Sequence, residues 1–113
     1  LAGILKAHKV GFEILKPFKG EAVPERLGDG LIVLGGPMGV YEESQYPWMT
    51  AELNAIRQCL AGNIPVLGIC LGSQMLAKAA GAQVFRGAVP EVGWYPVELT
   101  QEGKRDNLFL GLP

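Results

Sequence analysis

At 113 residues and 49% apolar content, the chain supports one domain with a real but modest core. Ten Lys and Arg against eleven Asp and Glu leave a net charge of −1, and no basic patch or arginine-rich stretch supports a nucleic-acid-binding surface. No apolar run reaches membrane-spanning length, the N-terminus has no secretory pattern, and the two cysteines lie in dissimilar settings, so the expected compartment is a reducing cytoplasm without disulfides.

In chain order, Leu1 to Lys9 reads as the tail of a helix with Leu1, Ile4 and Leu5 on one face. Gly11 breaks it, and Phe12-Glu13-Ile14-Leu15 alternates as a strand. A polar connection rich in proline and glycine runs from Pro17 to Gly30. Leu31 to Leu34 is an apolar strand that enters a Gly35-Gly36-Pro37 loop. Pro47 then opens a helix at its first turn, and Met49, Leu53, Ile56 and Leu60 form its apolar stripe. Cys59 flanks that stripe, has no glycine neighbours and reads as packing.

Ile64 to Ile69 is too short and too apolar for a free-standing helix and reads as a strand buried on both faces. Leu71 to Ala80 is rich in Leu, Met and Ala and stops at Gly81, a helix with a glycine C-cap. Gln83-Val84-Phe85-Arg86 and Trp94 to Leu99 read as shorter strands of more antiparallel character, and Asn107 to Leu110 as a turn of helix. The alternation predicts an α/β fold: a doubly wound, mostly parallel sheet with helices on both faces. No internal repeat or linker interrupts residues 1–113, which form a single domain.

Cys70 sits at the boundary between the second apolar strand and its helix, with glycines at −2 and +2, Gly68 and Gly72. A sharp turn there brings neighbouring backbones so close that a side chain at either glycine would collide with them. The nucleophile elbow of serine hydrolases has this geometry, and here it carries a thiol. The start of the following helix also places partial positive charge beside the sulfur.

Gly68-Ile69-Cys70-Leu71-Gly72-Ser73-Gln74 resembles the nucleophile motif of class I glutamine amidotransferase domains. The Gly35-Gly36-Pro37 loop resembles the loop that supplies part of the oxyanion hole in that family. Glu91-Val92-Gly93-Trp94-Tyr95-Pro96-Val97-Glu98-Leu99 is similar to the segment after the nucleophile helix in the branch resembling GMP synthase. The three motifs stand in family order across about two thirds of the chain.

The resemblance implies a flavodoxin-like three-layer sandwich, truncated here at both ends. The family's first strand would precede Leu1, and its His-x-Glu region would follow Pro113. It further implies that Cys70 attacks glutamine to form a thioester, releasing ammonia to an acceptor on a synthetase domain or subunit. The backbone N–H groups of Gly36 and Leu71 match the oxyanion-hole positions, and Gln74 matches a position that helps hold the substrate glutamine. Met38 stands where relatives often carry a second glycine. Trp94 and Tyr95 read as wall or core. No cofactor and no metal is expected. The sole histidine, His8, lies in the opening helix and reads as a solvated surface residue. The 113 residues thus hold a nucleophile without its base and are expected to be inactive alone. A PfpI-type cysteine hydrolase and a catalytically silent binding domain are the alternative readings, and the Gly-Gly-Pro loop and Gln74 favour the amidotransferase over the former.

Overall fold

A computed structural model describes residues 1–112. Its centre is one parallel strand pair with a right-sized helix after each strand. β1 spans Leu31–Val33 and β2 spans Val66–Gly68, paired in the register Leu31 with Val66, Ile32 with Leu67 and Val33 with Gly68. The ladder extends one bond at each end, from the Leu31 N–H to the Pro65 carbonyl and from the Ile69 N–H to the Val33 carbonyl, both 2.9 Å. Parallel strands require a crossover, and the connection supplies it through a 3-10 turn at Val40–Glu42 and the helix at Trp48–Ala61.

Three helices are designated in chain order: α1, Ala2–Ala7; α2, Trp48–Ala61; and α3, Leu71–Ala79. Pro47 N-caps α2 with a φ of −58°, already suited to the helix that follows. α3 closes at Ala80, and Gly81 follows in the left-handed region at φ 94°. The Gly81 N–H reaches the Lys78 carbonyl and the Ala82 N–H reaches that of Ala77, so two otherwise orphaned carbonyls are satisfied.

The core lies between the strand pair and these two helices. Val33, Val40, Met49, Leu53, Ile56, Leu71 and Met75 form one buried cluster, with Leu31 and Val66 packed against it. Full burial of side chains of this kind contributes about 1.5–3 kcal/mol each. Leu31 and Val33 share the face turned to the helices, whereas Ile32 and Leu34 alternate onto the opposite, exposed face. The α2 stripe is rotated from the expected one. Cys59 completes it at 0% exposure, while Leu60 lies on the outside.

The architecture is α/β with a parallel sheet, as the alternation predicts. The flanking strands are a different matter. Phe12–Leu15, Gln83–Arg86 and Trp94–Leu99 adopt no ladder among the described residues. Period-two patterning becomes a strand only when an edge is available to pair with, and Pro96 removes a donor from the last of these segments. Trp94 is 103% exposed and Tyr95 58%, so neither forms wall or core here. Asn107–Phe109 forms the expected helical turn, of 3-10 type, capped by the Asp106 carboxylate accepting from the Leu108 N–H.

Candidate active site

β2 ends at Gly68, and within two residues the chain has reversed into α3. Cys70 is the pivot. It N-caps α3 with φ 57° and ψ −118°, a region that costs a non-glycine residue on the order of 1–3 kcal/mol. The surroundings hold the turn in place. The Gly72 N–H donates to the Ile69 carbonyl at 3.0 Å, and the Cys70 carbonyl accepts from the Ser73 N–H at 2.9 Å and the Ser73 hydroxyl at 2.7 Å. The cysteine side chain is exposed.

The two glycines around Cys70 answer to two different crowding contacts. A Cβ on Gly68 would lie 2.5 Å from the Gly72 carbonyl oxygen and 2.8 Å from the Ser73 Cα, so this glycine lets strand and helix approach each other. A Cβ on Gly72 would lie 2.1 Å from the Val33 carbonyl oxygen, so that glycine lets α3 press onto β1. Backbone atoms cannot swing aside as a side-chain tip can, and both positions exclude any larger residue.

The loop after β1 lies against this turn. A Cβ on Gly35 would fall 2.9 Å from Cys70 Cβ and 3.3 Å from its Sγ. One on Gly36 would fall 3.2 Å from a Leu71 methyl carbon and 2.7 Å from Met38 Sδ. The structure therefore brings Gly35, Gly36, Cys70 and Leu71 together. Leu71 is the first residue of α3, so its N–H has no acceptor within the helix. Among the described residues, neither the Gly36 nor the Leu71 N–H donates to another backbone carbonyl. Gln74 stands one turn into α3, and its Oε1 is buried without a hydrogen-bond partner among the described residues. A buried amide oxygen left unpaired is costly unless a donor arrives to satisfy it.

Gly35 was not singled out from the sequence, although the adjacent glycine in the same loop was the available signal. Lys78 was also missed: its ammonium donates to the Val40 carbonyl at 3.1 Å and pairs with the Glu43 carboxylate. His8 caps the C-terminal end of α1 and is exposed. Among the described residues, no group of three or more His, Cys, Asp and Glu is placed to hold a metal ion. A cleft of about 190 Å³ lies between α2 and the Val23–Glu25 segment, away from Cys70. On α2, burial raises the Glu52 carboxyl above its ordinary value. Burial likewise pushes the Cys59 thiol up.

Comparison with known proteins gives a consistent result. The family model for class-I glutamine amidotransferases matches residues 7–113. A glutamine amidotransferase-like protein of Salmonella typhimurium, YfeJ, is 40% identical over 97 residues, covering 81% of this chain and 41% of the relative. The glutamine-hydrolysing GMP synthase of Aeropyrum pernix is 38% identical over 94 residues, covering 83% of this chain and 16% of the relative. The crystal structure of a glutamine amidotransferase from Thermotoga maritima superposes with a TM-score of 0.68 at 44% identity, over 77% of this chain and 39% of that one. The chain thus spans less than half the length of each of these relatives. Because the family match runs through nearly all of its residues, the chain belongs to the class-I glutamine amidotransferase family.

Proposed function

We propose that this domain hydrolyses the side-chain amide of glutamine and releases ammonia for transfer to an acceptor. The observation that carries the reading is the Cys70 turn: an exposed thiol at the head of α3, held at φ 57°, with the Gly35-Gly36 backbone against it. Cys70 Sγ attacks the amide carbon of glutamine, and the carbonyl π pair moves onto oxygen. Collapse of that adduct breaks the C–N bond and expels ammonia, leaving a thioester that water cleaves to glutamate and free thiol. The reaction adds water and transfers no electrons, so it calls for no redox cofactor.

Two donors are needed where the negative oxygen develops, and the N–H groups of Gly36 and Leu71 are the proposed pair. They come from different elements that meet at Cys70. Gln74 is proposed to help hold the substrate, with its unpaired Oε1 accepting from a glutamine N–H. Thiol activation and protonation of the departing ammonia require a general base within hydrogen-bond reach. We assign that base to a histidine outside the 113 residues, paired with a glutamate, since His8 stands exposed at the end of α1. On this reading the 113 residues alone release no ammonia from glutamine. The likeness to enzymes named GMP synthase supports a synthetase domain or subunit as the ammonia acceptor. The two free cysteines support a reducing, cytoplasmic setting.

The test is ammonia release from glutamine by the full-length protein. Cys70→Ala is expected to lower the rate by at least about 1,000-fold, as loss of a covalent nucleophile does. Release that survives the substitution contradicts the proposal, as does an unsubstituted protein that never releases ammonia.

A further inference from the structure

The proposed oxyanion donors belong to two elements that are not continuous in sequence, so something must hold one against the other. We infer that Lys78 is a positioning residue that ties the loop carrying Gly36 to the helix carrying Cys70. The inference rests on the amidotransferase reading above.

The loop from Leu34 to Glu43 has a fixed start. Val33 precedes it in β1, its carbonyl accepting the Ile69 N–H at 2.9 Å and lying against Gly72. The far end is fixed by Lys78. From the penultimate position of α3, about 12 Å along the helix from Cys70, its ammonium donates to the Val40 carbonyl at 3.1 Å and pairs with Glu43. Among the described residues these are the only hydrogen bonds between residues 34–43 and α3. Lys78 is also the single charged residue of α3. A lysine in the last turn of a helix ordinarily faces water near the helix's own carbonyls. Lys78 instead reaches sideways to a neighbouring turn and is partly covered there.

The turn it holds is itself closed. The Gly39 N–H donates to the Glu42 carboxylate at 2.6 Å, and Val40 is fully buried in the core. Gly35 and Gly36 therefore lie on a segment anchored at both ends to the unit that bears Cys70. Releasing one anchor lets the Gly36 N–H drift, and misplacement by about 1 Å in such a site costs up to about 100-fold in rate.

The experiment compares two reagents on the full-length protein and its Lys78→Met, Lys78→Arg and Glu43→Gln variants. Glutamate γ-semialdehyde forms a hemithioacetal: the Cys70 sulfur bonds to the aldehyde carbon and the carbonyl pair moves to oxygen, which needs the donor pair. Iodoacetamide reacts by displacement of iodide at carbon, and no oxyanion develops. Lys78→Met is expected to lower kcat and semialdehyde affinity about tenfold each, the scale of one lost charge-assisted bond. KM for glutamine and the iodoacetamide rate should stay within about twofold. Lys78→Arg, which keeps charge and donors, should recover most of the loss, and Glu43→Gln, which spares the Val40 bond, should lose less than Lys78→Met. A Lys78→Met protein with parental kcat overturns the assignment. So does a parallel fall in the iodoacetamide rate, or a Lys78→Arg variant as impaired as Lys78→Met. Failure of the underlying reading shows elsewhere, as an unsubstituted protein that releases no ammonia from glutamine, and it removes the Lys78 role as well.

Discussion

The two cysteines sit in neighbouring parts of the same fold and differ in burial and in backbone conformation. Cys59 lies in the last turn of a regular 14-residue helix, completes its buried stripe at 0% exposure, and has its thiol pushed up by burial. Cys70 lies at a break between strand and helix, exposed, in a backbone conformation that few non-glycine residues adopt. One is placed by packing, the other by a turn that the surrounding glycines make possible.

The strongest way to break this contrast is to fill the turn. Gly72→Val puts a branched side chain where even a Cβ would lie 2.1 Å from the Val33 carbonyl oxygen. A loss of about 3 kcal/mol or more is expected, together with loss of selective Cys70 labelling. Ser73→Ala is the control one residue along. It removes only the hydroxyl bond to the Cys70 carbonyl, for about 1 kcal/mol or less, and should leave labelling intact. Thermal melts with peptide mapping decide both. A Gly72→Val protein that melts like its parent and still labels would mean that α3 does not press on β1 as described.

Altering Cys59 should do the reverse, touching stability and sparing chemistry. Cys59→Ser places a hydroxyl in a fully buried site where its best acceptor is a carbonyl of its own helix, and about 1–2 kcal/mol should be lost. The alkylation rate of Cys70 should not move. A change in that rate would couple the two sites and blur the distinction drawn here.

A smaller effect sharpens the picture of α2. The Glu52 carboxyl is raised by burial, so folding favours its neutral form. Its contribution is fully present below the unfolded-state value and fades as pH rises through the folded-state value. At neutral pH the buried charge is a burden, and Glu52→Gln should raise Tm by about 1–3 °C there and by less near pH 4. Melts of both proteins across that range check the sign. A larger benefit at acid than at neutral pH would contradict it.

What could be read from sequence follows from how local each signal is. The strand, glycine, cysteine, glycine, helix order around Cys70 is spelled out in consecutive residues, and the Leu31–Val33 strand and α2 announce themselves by apolar runs and periodicity. The rotation of the α2 stripe onto Cys59 was not legible, because Cys59 and Leu60 both border the 3.6-residue face and packing chooses between them. The strands expected at Phe12–Leu15, Gln83–Arg86 and Trp94–Leu99 depend on partners that local pattern does not supply. Val97, at 93% exposure, shows how little the alternation decides without an edge to meet. The contact of Gly35 with Cys70 and the reach of Lys78 to Val40 link residues 35 and 38 positions apart, and nothing local encodes them.

The central claim is that Cys70, and not Cys59, is the nucleophile. The direct measurement is peptide mapping of the folded full-length protein after brief exposure to a glutamine-mimicking electrophile, with free glutamine as competitor. The account predicts modification at Cys70 at least about 100-fold faster than at Cys59, slowed by glutamine. Equal rates, or preferential labelling of Cys59, would contradict it.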